Sequence, residues 1–205
     1  MQIPETQIKL NNGQIQAMDQ IAQFLNSPND DIFILRGSAG TGKTTLIGHL
    51  LALLARQKIN ATVLAPTGRA ARIVAHKTGG NASTIHGAIY DFTKMDIFEQ
   101  AESSNDPGFC LHFSLNQDEP TSGVYIVDEA SMVGDRESQS DTMRFGSGRL
   151  LTDLIQHLRQ RRQGREADVS VKIIFVGDPA QLPPVNEDLS PALSASYLKD
   201  QHDLA

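Results

Sequence analysis

Gly37-Ser38-Ala39-Gly40-Thr41-Gly42-Lys43-Thr44 fits the spacing G-x-x-x-x-G-K-[S/T] at every fixed position. Each residue type has a mechanical job in that pattern. The glycines let the backbone curl so that successive N–H groups point inward at phosphate oxygens. Lys43 brings a point charge for the β- and γ-phosphates, and Thr44 brings a hydroxyl for Mg2+. Residues 31–36 (DIFILR) just before it read as a buried strand, and residues 44–55 (TTLIGHLLALLA) just after it read as a helix. Phosphates would then sit at a helix N-terminus, where unpaired N–H groups and the helix dipole favour negative charge. The loop predicts a bound nucleoside triphosphate lined by residues 37–44 and Thr45. The bland alternative is a glycine-rich strand-to-helix turn without a ligand.

The rest of the composition bounds the setting. A chain of 205 residues fits one domain, or one domain with an insertion, and 40% hydrophobic residues suffice for a sizeable core. The single cysteine, Cys110, excludes an internal disulfide and suits a reducing compartment. The N-terminus has neither a basic region nor an apolar run, and no apolar stretch is long enough to span a bilayer. These features predict a soluble, cytoplasmic protein with no membrane partner. The net charge of −6 argues against a nucleic-acid surface over the whole molecule but leaves room for a local one. Residues 144–165 hold six arginines (Arg144, Arg149, Arg159, Arg161, Arg162, Arg165) and one acid, Asp153. They read either as a nucleic-acid patch or as a helix end, with Leu150, Leu151, Leu154, Ile155 and Leu158 as its apolar stripe.

Strand and helix signals alternate along the chain. A first helix spans about Asn12 to Leu25, with Ile15, Met18, Ile21, Ala22 and Leu25 on one face. Residues 61–66 (ATVLAP) read as a strand, about Gly68 to His76 as a helix, and about Thr84 to Tyr90 as a short helical piece. Residues 124–129 (VYIVDE) and 171–176 (VKIIFV) read as buried strands. This order predicts an α/β fold, a parallel sheet with helices on both faces. Two stretches break the rhythm. Residues 91–123 are polar and turn-rich, but Phe109, Leu111, Phe113 and Leu115 alternate, as in half of a small hairpin. Residues 134–148 are polar and read as a mobile connection.

Two further elements carry chemistry. Asp128 and Glu129 end an apolar strand, and parallel strands place their C-terminal ends on one edge, so this pair can face the loop phosphates. Asp128 suits Mg2+, and Glu129 is placed to polarise an attacking water, which points to hydrolysis. Residues 177–185 (GDPAQLPPV) follow another buried strand. Their prolines fix the shape of the loop, and the amide of Gln181 both donates and accepts, as sensing a γ-phosphate and orienting water requires.

GSAGTGKT, VLAPTGRAA (63–71), TIH (84–86), IVDEAS (126–131) and VGDPAQLPPV (176–185) occur in the order seen in superfamily 1 DNA helicases. The chain resembles their RecD-like, 5′-to-3′ branch over nearly its whole length. The resemblance implies a P-loop NTPase (RecA-like) domain that binds ATP and Mg2+ and moves on single-stranded DNA. It implies catalytic roles for Lys43, Glu129 and Gln181, and metal roles for Thr44 and Asp128. Pro66, Thr67, Gly68, Arg69 and His86 are then the DNA contacts. Residues 10–17 (LNNGQIQA) resemble the family's adenine-reading segment, with Gln14 on the base edge. Asn11 and Gln14 could equally form a capping box. His86 could pack rather than touch DNA, and Arg69 could be an ordinary surface arginine. Residues 91–123 occupy the place of the family's strand-separating pin, although a surface excursion fits as well.

The family's second RecA-like domain, with the arginines that neutralise the γ-phosphate, is expected after about residue 205. Residues 1–205 therefore read as the first RecA-like motor domain of a longer helicase, with slow hydrolysis on its own. Two other readings compete: a stand-alone ATPase resembling the PhoH family, and a non-enzymatic ATP-gated module that docks through its arginine-rich helix.

Overall fold

A computed structural model describes residues 9–99, 109–117, 123–138, 142–160 and 171–204. In chain order, α1 (Asn12–Asn26) leads to β1 (Ile32–Arg36), α2 (Lys43–Arg56), β2 (Ala61–Ala65) and α3 (Gly68–Thr78). Next come β3 (Ala82–Thr84), α4 (Ile85–Ile89), β4 (Tyr90–Glu99), β5 (Phe109–Leu115) and β6 (Val124–Val127). A 3₁₀ turn (Ala130–Met132), β7 (Met143–Phe145), α5 (Leu150–Gln160) and β8 (Lys172–Gly177) follow. A second 3₁₀ turn (Pro191–Leu193) and α6 (Ala195–His202) close the described chain.

The central sheet is parallel, in the order β1-β8-β6-β2-β3. Both of its faces are covered, which is why β6 and β8 are buried along their whole lengths. Val124, Ile126, Ile174 and Val176 pack with Ile21, Phe24, Ile47, Leu50, Leu54 and Val74 from α1, α2 and α3. Their neighbours in the pleat, Tyr125, Val127, Ile173 and Phe175, meet Ile85, Ile89, Leu151, Leu154, Leu158 and Leu198 from α4, α5 and α6. Each fully buried aliphatic side chain contributes about 1.5–3 kcal/mol. No helix among the described residues is long and apolar enough to cross a membrane.

Several expectations need correction. Ile15 is 47% exposed and Phe24 is buried in its stead. Residues six apart lie roughly 120° apart around a helix, so Ile15 cannot share the face of Ile21. The polar, three-residue β3 carries no strand pattern, and only its pairing to β2 reveals it. Residues 134–148 are not simply a mobile connection. Within them β7 pairs with β5, which is also one arm of an antiparallel pair with β4 as its alternation predicts, so the hairpin is extended into a three-stranded sheet. Phe92, Phe113, Phe145 and Tyr90 pack ring against ring at its base. Tyr90 donates to the buried Asp153 at 2.7 Å, and Asp153 also accepts from the Ser147 amide. Asp153 thereby ties the small sheet to α5.

Leu151, Leu154, Ile155 and Leu158 of the α5 stripe are buried as their spacing predicts, and Leu150 is partly buried against the same core. Of the six arginines, Arg144 pairs with Glu137 at 2.8 Å and Arg159 donates to the Asp203 carbonyl at 2.9 Å. Arg161, Arg162 and Arg165 lie outside the described residues. Lys172, buried at the start of β8, donates to the carbonyls of Ser27 and Asp30 and lies over the ring of Phe24. Its ammonium fastens the end of α1 to the sheet, at a position where an unpaired charge would be costly.

Candidate active site

Because the strands are parallel, β1, β2, β6 and β8 all end on one edge. Arg36 pairs with Gly177, and Val127 with Phe175. That register brings the loop after β1, the Asp128–Glu129 pair after β6 and the Gln181 loop after β8 side by side. Ala39, Gly40, Gly42, Lys43, Thr44, Thr45, Lys77, Asp128, Glu129 and Gln181 line one cavity of about 600 Å³.

The phosphate loop takes its shape from local chemistry. Gly42 has φ +86°, a left-handed conformation that L side chains rarely adopt, and a Cβ there would lie 2.4 Å from Gln14 Nε2. Thr41 Oγ1 donates to the Ser38 carbonyl at 2.8 Å. Lys43 Nζ donates to the carbonyls of Gly37 at 2.6 Å and Ser38 at 3.1 Å, so the ammonium rests inside the curl. Gly42 caps α2 without a side chain, which leaves the first-turn amides of that helix for an anion.

Asp128 is 3% exposed. Burial raises its carboxyl above the usual range, and the nearby charge of Glu129 adds to this. The Glu129 amide, which donates to Oδ1 at 3.0 Å, and the charges of Lys43 and Lys77 pull the other way. Glu129 has φ 52° and ψ 38°, left-handed for a residue with a Cβ. Such backbone strain persists only where the surroundings impose it, and it clusters at working sites.

Ser131 ends the acidic motif of residues 126–131. Its Oγ donates to Gln181 Oε1 at 3.0 Å, and its carbonyl accepts from Ser190 Oγ at 3.0 Å. Further along the same two loops, Glu187 accepts from the amides of Asp135 at 2.8 Å and Arg136 at 3.0 Å. Asp135, also buried, accepts from Thr152, from Tyr197 Oη at 2.9 Å and from His202 Nε2 at 3.2 Å. Burial, and then this bond to Asp135, push the Tyr197 phenol up to about 12. The carboxylate loop, the amide loop and α6 are thus joined by hydrogen bonds.

Gln14 does two local jobs. Its Oε1 accepts from the Asn11 amide while Asn11 Oδ1 accepts from the Gln14 amide, which closes the capping box on α1. Its Nε2 donates to the Thr41 carbonyl at 3.1 Å. A smaller cavity beside the loop is lined by Asn11, Gly13, Gln14 and Ala17 together with Arg36, Gly37 and Thr41.

The residues expected at DNA lie one strand further along the same edge. Thr67 caps α3 by accepting from the Ala70 amide at 3.2 Å, and Thr84 caps α4 by accepting from the Gly87 amide at 3.0 Å. The two turns adjoin, since a Cβ on Gly68 would lie 4.0 Å from Thr84 Cγ2. Pro66 leads into the first turn, and Arg69 is exposed beside it. His86 is half-buried against Tyr90 and Phe145, with ring centroids 5.5 and 5.1 Å apart. Burial keeps its imidazole below the ordinary 6.5, although the charge of Asp153 opposes this. Packing is therefore one role His86 does have.

A phosphate loop, a carboxylate pair and a loop bearing the Gln181 amide, gathered at one edge of a parallel sheet, define a P-loop NTPase. A family model described as an AAA domain matches residues 9–142, and the chain belongs to that family. An uncharacterised protein of Methanocaldococcus jannaschii is 35% identical over 174 residues, 81% of this chain and 12% of that protein. The ATP-dependent RecD2 DNA helicase of Deinococcus radiodurans is 28% identical over 181 residues, 88% of this chain and 19% of the helicase. Among solved structures, unliganded Pif1 from Bacteroides sp. superposes with a TM-score of 0.50 at 25% identity, over 96% of this chain and 37% of its own. The chain is a helicase-like ATP-binding motor domain homologous to these helicases. It spans well under half the length of each.

Proposed function

We propose that residues 1–205 form the first RecA-like motor domain of an ATP-dependent DNA helicase, with the excursion at about 91–123 as an insertion. In this reading Mg-ATP hydrolysis drives movement on single-stranded DNA, in concert with a second RecA-like domain. The observation that carries it is the hydrogen bond by which buried Ser131 joins the loops of Glu129 and Gln181, two residues that line the phosphate cavity. The relatives of helicase type favour this reading over a PhoH-like ATPase or a non-enzymatic binding module.

The donor set suits Mg2+. A hydroxyl on Thr44 and one carboxylate on Asp128 match an ion that takes its other ligands from phosphates and water. Mg2+, when bound, neutralises charge on the phosphates. Lys43 and the amides of residues 37–45 hold the phosphates, and Glu129 is placed to accept a proton from the attacking water. Gln181, through Ser131, carries the state of the γ-phosphate towards the neighbouring loops. Gln14 reads the adenine edge from the smaller cavity. Pro66, Thr67, Gly68 and Arg69, with His86 beside them, take the DNA strand. The amides at the start of α3 bind its phosphates with little positive charge, in keeping with the net charge of −6.

Titration calorimetry with Mg-ATP tests the reading. The chain is expected to bind ATP, to bind single-stranded DNA weakly at low salt and to turn over slowly alone. Lys43→Ala should abolish nucleotide binding with an unchanged circular dichroism spectrum. Retained affinity in that variant would overturn the assignment of the phosphate loop.

A further inference from the structure

We infer that Lys77, on α3, is a second lysine of the ATP site that contacts the terminal phosphate. The inference rests on the proposed reading of this cavity as an ATP site, and it adds a residue outside every motif described above. Lys77 lines the cavity together with Lys43, Asp128, Glu129 and Gln181. It is exposed, and its ammonium makes no hydrogen bond or ion pair among the described residues.

Helix geometry explains how a residue eight positions beyond the DNA-facing turn reaches this place. The first turn of α3 lies at the working edge of the sheet, and side chains on a helix tilt towards its N-terminus. The stem of Lys77 is therefore directed back to that edge. Arg69, Ile73 and Lys77 follow at intervals of four and form one stripe, and all three line the groove that continues from the ATP cavity along the Gln181 loop. α3 also lies close against α2, because Gly48 has no side chain. A Cβ there would lie 3.9 Å from Thr78 Cγ2, the residue after Lys77.

The chemistry follows from this position. Lys43 rests on the carbonyls of Gly37 and Ser38, deep in the loop. Lys77 comes from another element, α3, and lines the cavity with Asp128 and Glu129, the pair assigned above to Mg2+ and to the water that attacks the terminal phosphate. A flexible ammonium contributes as a point charge and needs no fixed hydrogen-bond geometry. It would neutralise one charge of a triphosphate and none of a diphosphate, which makes ADP the internal control.

The test measures affinities of the 205-residue chain for Mg-AMP-PNP and Mg-ADP in the wild type, Lys77→Met and Lys77→Arg. Lys77→Met keeps the apolar stem and should weaken AMP-PNP by roughly fivefold to tenfold, the size of one charge-assisted contact near the surface. ADP affinity should not change, and Lys77→Arg should restore AMP-PNP binding. Equal losses for the two nucleotides, or no loss for either, would overturn the inference. In the second case Lys77 would merely complement the dipole at the end of α3. A wild type that binds neither nucleotide would instead sink the ATP-site reading on which the inference depends.

Discussion

Ser131 Oγ and Gln181 Oε1 are 3.0 Å apart, and this hydrogen bond joins the loop after β6 to the loop after β8. It leaves the Gln181 amide nitrogen directed by a fixed oxygen, so the donor is oriented before any nucleotide arrives. Ser131 in turn is held from behind by Ser190.

Ser131→Ala should therefore separate binding from coupling. One net hydrogen bond is worth about 0.5–1.5 kcal/mol, so the ATPase rate stimulated by single-stranded DNA should fall roughly threefold to tenfold. Mg-ATP affinity should stay within about twofold, because the phosphate loop is untouched. Steady-state kinetics with and without DNA, beside calorimetry, measure both. A parallel loss of affinity would show that the bond only holds the cavity together.

Gly40 and Gly42 both have positive φ, but they differ in their surroundings. At Gly40 (φ +79°) a Cβ meets nothing within 4 Å, whereas at Gly42 it meets Gln14 Nε2 at 2.4 Å. Gly40→Ala should cost only the backbone term, about 1–2 kcal/mol. Gly42→Ala should cost more in urea denaturation, because it also expels Gln14 from its place beside the loop, and nucleotide affinity should fall with it. Equal losses of stability would argue against the Gln14 contact.

Stability should fall on mild acidification. Burial holds both His86 and His157 below the ordinary 6.5, and the bond of His157 to the Asn116 carbonyl opposes this only in part. Below 6.5 the unfolded chain binds protons that the folded chain does not yet take. Stability is therefore full above that value and is lost as pH falls through the window beneath it. The urea midpoint should drop between about pH 7.5 and about pH 5.5. His157→Gln, which keeps a donor for Asn116, should shrink the drop, and an unchanged dependence would refute this origin.

Much of this architecture was legible in the residues. The phosphate loop, the four longer strands of the sheet and the carboxylate pair carry strong local signals, because a buried parallel strand must be apolar along its length and each site residue follows one directly. What escaped depended on distance. β3 is too short and polar to carry a period. Phe24, and not Ile15, is buried because α1 packs through a narrower face than its apolar residues suggested. Asp153 looked like a stray acid among arginines, and only the fold brings Tyr90 and Ser147 to it. Ser131 and Lys77 had weak signals that were present: a hydroxyl within the acidic motif, and a cation at four-residue steps from Arg69.

The capping box of α1 has a consequence for which base is accepted. Gln14 already spends its carbonyl on Asn11 and one amide hydrogen on Thr41. In the proposed adenine-reading role its second carbonyl lone pair and second amide hydrogen remain for the base, so the cap and the loop contact are both kept. Adenine offers a donor beside an acceptor and matches that remaining pair. Guanine offers two acceptors on the same edge and would set one of them against the Gln14 carbonyl. On this reading the two bonds already made fix which way the amide faces, and the first turn of α1 decides which base edge it can accept.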